Sequence, residues 1–480
     1  MTGRRLFFRL VALALTFGVA ALPTPALASG FQLTEQNASG LGNAFAGQAA
    51  GVENASAIYF NPAALTRVKG WNFVAAVDPI GLSTKFTDSG SSVPSAGPLS
   101  FPVPLGNNGG DAGKWIPVPS GYLSGKVADR VWLGVGVNAP FGLETNWDSA
   151  WIGRFHATRS KVQTLNVNPT IAVALSDTFS IGGGVSYQHL KADFDQGVAY
   201  GSLAFVGTAQ AVAGLPPALQ AAALGAVVTQ LGGPSGLALE GPALISGSSD
   251  AWGWNAGALL KLGDQAHVGV SYRSKITHDI TGDVTFQGAP TFSLPGPLAP
   301  IADGLNAAFA NGAVKTTIKL PDTLSVAAAW KNDKAEVLAD WTWTGWSSIP
   351  TLDIARADGE DLSSVPLTFQ DTWRVGLGFS YTFNKAWKLR LGTAYDKAPV
   401  QDQYRTPRLP DYNRVWAAGG FEWKISPKAG VDVGYAHLFV KDAPSNLPNQ
   451  YTADSTPVGT LVGTYNQKVD ILGVQLSLSF

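Results

Sequence analysis

The alternation of short and long connections limits the fold of this 480-residue chain more than any other feature. Large apolar residues recur at every second position in segments such as 373–383, with small or polar residues between them. This period of two predicts β-strands with one apolar face. The short polar turns lie at 128–130, 176–178, 263–265, 332–334, 384–385 and 426–428. The long irregular segments lie at 88–113, 141–158, 196–250, 287–312, 346–364, 397–412 and 441–466.

Six short turns that alternate strictly with seven long loops predict fourteen antiparallel strands. The apolar face of segments 179–187 and 252–263 suits lipid, and the small polar face suits a lumen, which reverses the pattern of a soluble barrel. We therefore predict an all-β fold, a 14-stranded antiparallel transmembrane β-barrel over residues 71–480. Short turns on one side place both termini in the periplasm.

The last segment, 469–480, alternates in the same way and ends on Phe480. A terminal aromatic residue in such a strand is similar to the signal of bacterial outer-membrane barrels, so the outer-membrane assembly machinery is an expected partner. The alternative interpretation is the last strand of a soluble β-sandwich.

The first 28 residues have the pattern of a secretory signal peptide. Arginines at positions 4, 5 and 9 precede an apolar stretch at 10–22, and Ala26-Leu27-Ala28 is a small-residue cleavage site. We expect the mature chain to begin at Ser29.

The composition excludes several classes of function. The chain has no cysteine, only 14% charged residues and a net charge of −1. Disulfide and thiol chemistry are therefore absent, and nucleic acid is not an expected partner. No motif in the sequence indicates a cofactor or a metal.

Residues 29–70 are rich in glycine and alanine and have no sustained periodicity. A fourteen-strand barrel leaves a channel unless something fills it. This segment is therefore either a periplasmic tail or a plug inside the lumen.

Several motifs resemble the FadL family of long-chain fatty acid and hydrocarbon transporters from Gram-negative outer membranes. They are "GFQLTEQNASGLGNAFAG" at 30–47, "NPAAL" at 61–65 and "GVGVNAPFGLETNWDSAWIGRFHA" at 134–157. The motifs "WGWNAGALLKL", "IKLPDTLSVAAAW" and "FQDTWRVGLGFSY" follow in the family's order, so the resemblance covers nearly the whole mature chain.

The resemblance implies that residues 29–70 form a hatch that plugs the barrel and that a kinked third strand leaves a lateral gap in the wall. The implied hatch motif is Asn61, Pro62 and Ala63. The implied lateral gate is Asn138, Ala139, Pro140, Phe141 and Gly142. From the residues alone, Pro140 fits the end of a strand equally well.

The resemblance also implies that the ring of Phe31 faces an internal ligand pocket. Two apolar stripes with helical spacing in the long loops suggest a surface groove that captures ligand. Their members are Leu224, Val227, Val228 and Leu231 in one loop, and Ile301, Leu305, Ala308 and Phe309 in another. The alternative is that the loop helices pack against each other.

Family members that carry fatty acids hold the carboxylate with an arginine and a lysine, but this chain has Asp195-Gln196 and Val365-Pro366-Leu367 at those positions. Arg273, Arg374 and Arg390 face the lumen by parity. They are possible lumen cations, or they pair with acidic residues of the wall such as Asp340, Glu422 and Asp432.

We therefore expect passive outer-membrane transport of a hydrophobic small molecule, in contact with outer-membrane lipid and lipopolysaccharide. The ligand is a fatty acid or a neutral aromatic or aliphatic hydrocarbon. Three alternatives remain open at this point: a general porin, an adhesive barrel and an outer-membrane enzyme. An enzyme has little support, because neither His189 nor His437 has an acidic partner that the sequence identifies.

Overall fold

The computed structural model describes residues 30–52, 54–94, 104–449 and 458–480. The predicted signal peptide and Ser29 lie outside these ranges.

Fourteen wall strands run through the described part of the chain, and several of them consist of two segments separated by a short irregularity. They are β1 (Trp71–Val77, Ile80–Asp88), β2 (Trp115–Ile116, Pro119–Ala128), β3 (Val131–Asn138, Gly142–Asn146), β4 (Arg159–Ala174), β5 (Phe179–Val198), β6 (Gly241–Leu262), β7 (Ala266–Arg273, Ile276–Phe286), β8 (Gly312–Leu320, Thr323–Lys331), β9 (Ala335–Thr344, Thr351–Arg356), β10 (Asp361–Pro366, Thr372–Thr382), β11 (Trp387–Asp396), β12 (Arg414–Ser426), β13 (Ala429–Val440, Ala443–Leu447) and β14 (Leu461–Ser479).

Each wall strand pairs antiparallel with the next, and β1 pairs with β14, so the sheet closes into a barrel. The predicted 14-stranded fold is confirmed. The boundaries predicted for four long loops are wrong. The loop at 141–158 contains the outer segment of β3, and the loop at 441–466 contains the outer segment of β13 and the start of β14. The loop at 196–250 is shorter, because β5 continues to Val198 and β6 begins at Gly241. The loop at 346–364 contains the outer segments of β9 and β10, which satisfy their backbone groups by pairing with each other beyond the bilayer.

The two faces of the wall differ as the alternation predicts. Trp373, Val375 and Leu377 on β10 are exposed on the outside, where lipid surrounds the barrel. Leu259 breaks the alternation because it faces inward and packs against the N-terminal segment, defined here as residues 30–70. An apolar residue on an inner face thus marks a place where protein, rather than water, fills the lumen.

The helices are short, and none of them is part of a wall strand. They are α1 (Ala38–Leu41), α2 (Gln48–Gly51), α3 (Ala57–Phe60), α4 (Tyr200–Ala211), α5 (Pro217–Gln230) and α6 (Ala299–Ala308). Among the described residues, no helix is both long and apolar enough to cross a membrane.

The N-terminal segment packs against the inner wall. Its helices α1 and α2 contact β12, β13 and β14 on one side and β7, β8 and β9 on the other. Glycines of the wall allow this close approach. A Cβ atom added at Gly269 would lie 1.9 Å from the carbonyl oxygen of Ala49, and one added at Gly392 would lie 2.1 Å from the carbonyl carbon of Asn43.

Candidate functional site

Asn61 fixes the middle of the N-terminal segment. Its side-chain amide donates to the carbonyl oxygens of Ala49 (2.7 Å) and Ala258 (3.0 Å), and its Oδ1 accepts the N–H of Ala63 (3.1 Å). Pro62 begins the 3₁₀ turn that follows, where its missing N–H costs nothing. The motif Asn61-Pro62-Ala63 therefore joins two parts of the segment to β6.

Strand β3 is interrupted at residues 139–141. Asn138 is opposite Asn166 of β4, but Gly142 is opposite Gln163, so three residues of β3 face two of β4. This is the count of a β-bulge, which bends the strand that carries the extra residue.

A gap separates β2 from β3 above this bulge. The ladder between the two strands ends at the pair Gly121 and Val137. Within the described residues, the outer segment of β3 has a ladder partner only in β4. Pro117, Pro119 and Pro140 border the gap and have no N–H to donate, so the strands cannot pair across it.

The outer end of the gap is closed by direct contacts. Lys114 Nζ lies 2.6 Å from Glu144 Oε1, and the N–H of Asn146 donates to the carbonyl oxygen of Ala112 (2.9 Å). The gap is therefore an opening of limited height in an otherwise continuous wall.

Residues 31–33 of the N-terminal segment pair with the bulge from inside. The N–H of Leu33 donates to Pro140 O (2.8 Å), and the N–H of Gly142 donates to Phe31 O (2.9 Å), which makes Gln32 and Phe141 a directly opposed antiparallel pair. Residues 31–33 thus satisfy backbone groups that the bulge exposes.

A cavity of about 510 Å³ extends from the lumen to the outer surface at this point. Its inner part is lined by residues 30–35 and by apolar side chains such as Leu409, Trp416 and Leu438. Its outer part reaches four outward-facing residues of β4 and β5: Gln163, Leu165, His189 and Lys191. One apolar space therefore connects the two faces of the wall.

Aromatic side chains form the inner wall of this cavity. The ring of Phe31 meets that of Trp346 at 4.9 Å and that of Phe141 at 5.9 Å between centroids. Trp346 is completely buried in a 3₁₀ turn between the two segments of β9, and no pattern in the sequence points to it. Its position in "WTGWSS", after a strand that already carries two outward tryptophans, gave no sign of an inward role.

Asp411, in the loop before β12, holds the first described residue of the segment. Its Oδ2 accepts the N–H of Gly30 at 2.7 Å. Gly30 has a φ of +68°, and a Cβ atom there would lie 2.6 Å from the Trp346 ring, so glycine is required. Burial raises the pKa of Asp411 to about 6, although Arg414 acts in the opposite direction.

We expect the stability of the protein in detergent to depend on pH because of the Asp411 carboxyl group. Because the pKa of Asp411 is higher in the folded protein than in the unfolded chain, the folded state binds the extra proton between about pH 4 and pH 6. The stabilisation that comes from this bound proton is therefore present at pH 4 and is lost as the pH rises through 6. Thermal melts of wild-type protein should show a Tm that falls over this range relative to Asp411→Asn. Parallel curves for the two proteins would contradict the assignment.

The three inward arginines differ in their partners. Arg374 pairs with Asp340 (3.4 Å), and Arg390 pairs with Glu422 (3.3 Å) and Asp432. The structure thus favours wall pairing for these two over a role as lumen cations for a ligand, because their charges are already compensated.

Arg273 differs because it forms no ion pair with another described residue. Its guanidinium donates to Tyr59 O (2.9 Å) and stacks at 4.4 Å over the Tyr59 ring, beside a small polar cavity of about 90 Å³. It therefore stays a candidate lumen cation.

The loops form a second cavity of about 630 Å³ at the end of the barrel that carries the long loops, between α4, α6 and the outer segments of β9 and β10. Ile301, Leu305, Ala308 and Phe309 line it. The prediction of an exposed stripe at Leu224, Val227, Val228 and Leu231 is wrong. Val227 is completely buried, and the others pack on Phe205 and Leu237, because the loop helices cover each other's apolar sides.

A closed fourteen-strand barrel, a filled lumen and an apolar cavity at a break in the wall define an outer-membrane transporter for hydrophobic molecules. The chain matches the sequence model of the family described as "Outer membrane protein transport protein (OMPP1/FadL/TodX)" over residues 19–480, and it belongs to that family. The members are transport proteins rather than enzymes.

Known members of the family are similar to this chain along nearly their whole length. The "Long-chain fatty acid transport protein" of Escherichia coli strain K12 is 26% identical over 94% of this chain and 96% of its own. The crystal structure of a Pseudomonas aeruginosa FadL homologue has a TM-score of 0.80 and 25% identity, and the match covers 94% of this chain and all of that one. The Pseudomonas putida toluene transporter TodX shares the fold, with a TM-score of 0.64 at 16% identity over 94% of this chain and all of that one.

Proposed function

We propose that this protein lets hydrophobic molecules pass the outer membrane without an energy source, through the break in its wall. Ligand enters the loop groove, passes into the 510 Å³ cavity and leaves sideways between β2 and β3 into the membrane. Residues 29–70 act as the hatch, and Asn138 to Gly142 act as the lateral gate. The observation that carries this proposal is the continuity of one apolar cavity from Phe31 in the lumen to Leu165 on the outer face.

The hatch has to move at only one point in this mechanism. The contacts of Asn61 hold its centre, whereas residues 31–33 are held at the gap by two backbone hydrogen bonds, by the Gln32 side chain and by the packing of the Phe31 ring. The two backbone hydrogen bonds contribute about 1–3 kcal/mol together. A ligand that packs against Phe31 can therefore displace this strand while the remainder of the hatch stays in place.

The chemistry of the cavity favours long-chain fatty acids or similar amphiphiles as ligands, because Lys191 and His189 lie at its outer mouth and most of its lining is apolar. Neutral hydrocarbons such as toluene are the second candidate. The E. coli relative is named as a long-chain fatty acid transport protein and the P. putida relative as a toluene transporter, so the two span both classes. Mass spectrometry of ligand extracted from detergent-purified protein separates them, since only fatty acid or only hydrocarbon should be recovered from the cavity.

Repair of the wall should abolish transport. Deletion of Ala139 together with Pro140→Val removes the extra residue and restores an N–H, so that β3 can run straight along β4 and close the gap towards β2. We expect uptake of both radiolabelled oleate and toluene to fall at least tenfold, because the ligand then has no exit. Binding to the loop groove, measured by quenching of a fluorescent fatty acid, should persist. Undiminished uptake would contradict the lateral route.

A further inference from the structure

Two clusters of the same composition lie on the outer surface of the barrel, far apart in the sequence. The β5–β6 cluster consists of Tyr187, His189, Lys191 and Asp250. The β13–β14 cluster consists of Tyr435, His437, Lys468 and Asp470. In each cluster one carboxylate oxygen accepts two hydrogen bonds, from a tyrosine hydroxyl and from Nδ1 of a histidine two residues further along the same strand.

The distances in the two clusters are nearly equal. Asp250 Oδ1 lies 2.7 Å from Tyr187 Oη and 2.8 Å from His189 Nδ1. Asp470 Oδ1 lies 2.6 Å from Tyr435 Oη and 2.8 Å from His437 Nδ1. A carboxylate can only accept, so Nδ1 donates, and the other ring nitrogen, Nε2, is left for a partner outside the barrel.

The lysine of each cluster lies two residues further outward along its strand than the histidine or aspartate of the same strand. Lys191 lies two residues beyond His189 on β5, and Lys468 lies two residues before Asp470 on the descending strand β14. Both lysines are exposed, and neither forms an ion pair with another described residue. The imidazole and the ammonium group of each cluster are therefore available to the same external anion.

The height of the clusters on the wall identifies that anion. His189 lies ten residues beyond Phe179, where β5 begins, and His437 lies eight residues beyond Ala429, where β13 begins. About nine to eleven residues of a tilted strand cross the apolar part of a bilayer. Aromatic rings next to the clusters, such as Trp252 at 5.2 Å from Tyr187 and Phe439 at 4.5 Å from His437, fit the outer interfacial belt.

Ionisable groups on a lipid-facing surface are costly unless they reach polar partners. At this height the partners are the head groups of the outer leaflet, which in an outer membrane is lipopolysaccharide with phosphates on its lipid anchor. We infer that each cluster is a binding site for a phosphate group of an outer-leaflet lipid. The lysine donates to the phosphate, the histidine donates through Nε2 in its imidazolium form, which carries a proton on both ring nitrogens, and the aspartate and tyrosine hold the ring in position.

Native mass spectrometry of the full-length, delipidated protein tests this inference, with bisphosphorylated lipid A as the probe. We expect two tightly held lipids on the wild-type barrel and none when the same lipid without phosphates is used. The double variants His189→Gln/Lys191→Gln and His437→Gln/Lys468→Gln should each hold one lipid, and their combination should hold none. The single variants Lys191→Gln and Lys468→Gln should each weaken one site about fivefold.

Lys319→Gln is the matched control, because Lys319 is an exposed lysine of β8 outside both clusters. It should retain two lipids. Retention of both lipids by the fourfold variant would overturn the inference. Equal binding of the dephosphorylated lipid, or equal loss in Lys319→Gln, would do so as well. Heat-modifiable migration on gels shows that each variant is a folded barrel.

Discussion

A disulfide between positions 32 and 141 is expected to stop uptake, and its reduction is expected to restore it. Gln32 and Phe141 are opposed in an antiparallel pair whose flanking residues make the hydrogen bonds. In such pairs the Cα atoms lie about 4.5 Å apart, within the range that a disulfide needs. The bond fixes the start of the hatch against the lateral gate.

The chain is suited to this experiment because it contains no cysteine. In the Gln32→Cys/Phe141→Cys variant, uptake of oleate should fall to the level of cells without the protein under oxidising conditions. Dithiothreitol should raise it again at least tenfold. The single-cysteine variants are the controls, and neither should respond to reductant. Uptake that is equal in the oxidised and reduced double variant would show that residues 31–33 need not move.

Displacement of the hatch is expected to turn the barrel into an open channel. Side chains at Gly269 and Gly392 would collide with the backbone of the N-terminal segment at Ala49 and Asn43. The backbone cannot give way by a rotamer change, so the Gly269→Val/Gly392→Val variant should expel the segment from the wall. A fourteen-strand barrel without its plug leaves a water-filled lumen.

Planar-bilayer conductance and entry of small sugars into proteoliposomes check this expectation. Both should rise at least tenfold in the double variant. Gly121→Val is the control, because a Cβ atom at Gly121 meets nothing within 4 Å, and this variant should stay closed. A double variant that folds and remains impermeable would mean that some other part of the chain closes the lumen.

The barrel could be predicted because lipid imposes a simple rule on each strand. Every second residue faces hydrocarbon, so the sequence records the strands and their faces directly. Leu259 shows how the rule fails: it breaks the alternation because the N-terminal segment, roughly two hundred residues earlier in the chain, covers it. The long loops follow no such rule. Val227 and Leu305 belong to stripes with similar spacing and are both buried in one apolar cluster, but of the two only Leu305 also lines the groove.

The candidate site could be predicted only in part, because its residues are distant in the sequence and are brought together only by the register of the strands and the path of the chain. The bulge at Pro140 has a sequence sign, since a proline followed two residues later by a glycine interrupts pairing. The aspartates that bind His189 and His437 lie on neighbouring strands, and only the register of those strands places them opposite. Trp346 and Asp411 were missed for the same reason, because their contacts with residues 30 and 31 span more than three hundred positions.

The central claim is that ligand leaves through the wall between β2 and β3, and a crystal structure with a brominated fatty acid tests it most directly. The anomalous signal of bromine locates the chain of the ligand without ambiguity. We predict bromine peaks in the 510 Å³ cavity beside Phe31 and in the gap beside Leu165. Peaks along the barrel axis below the hatch, towards the periplasm, with none in the gap, would contradict the claim.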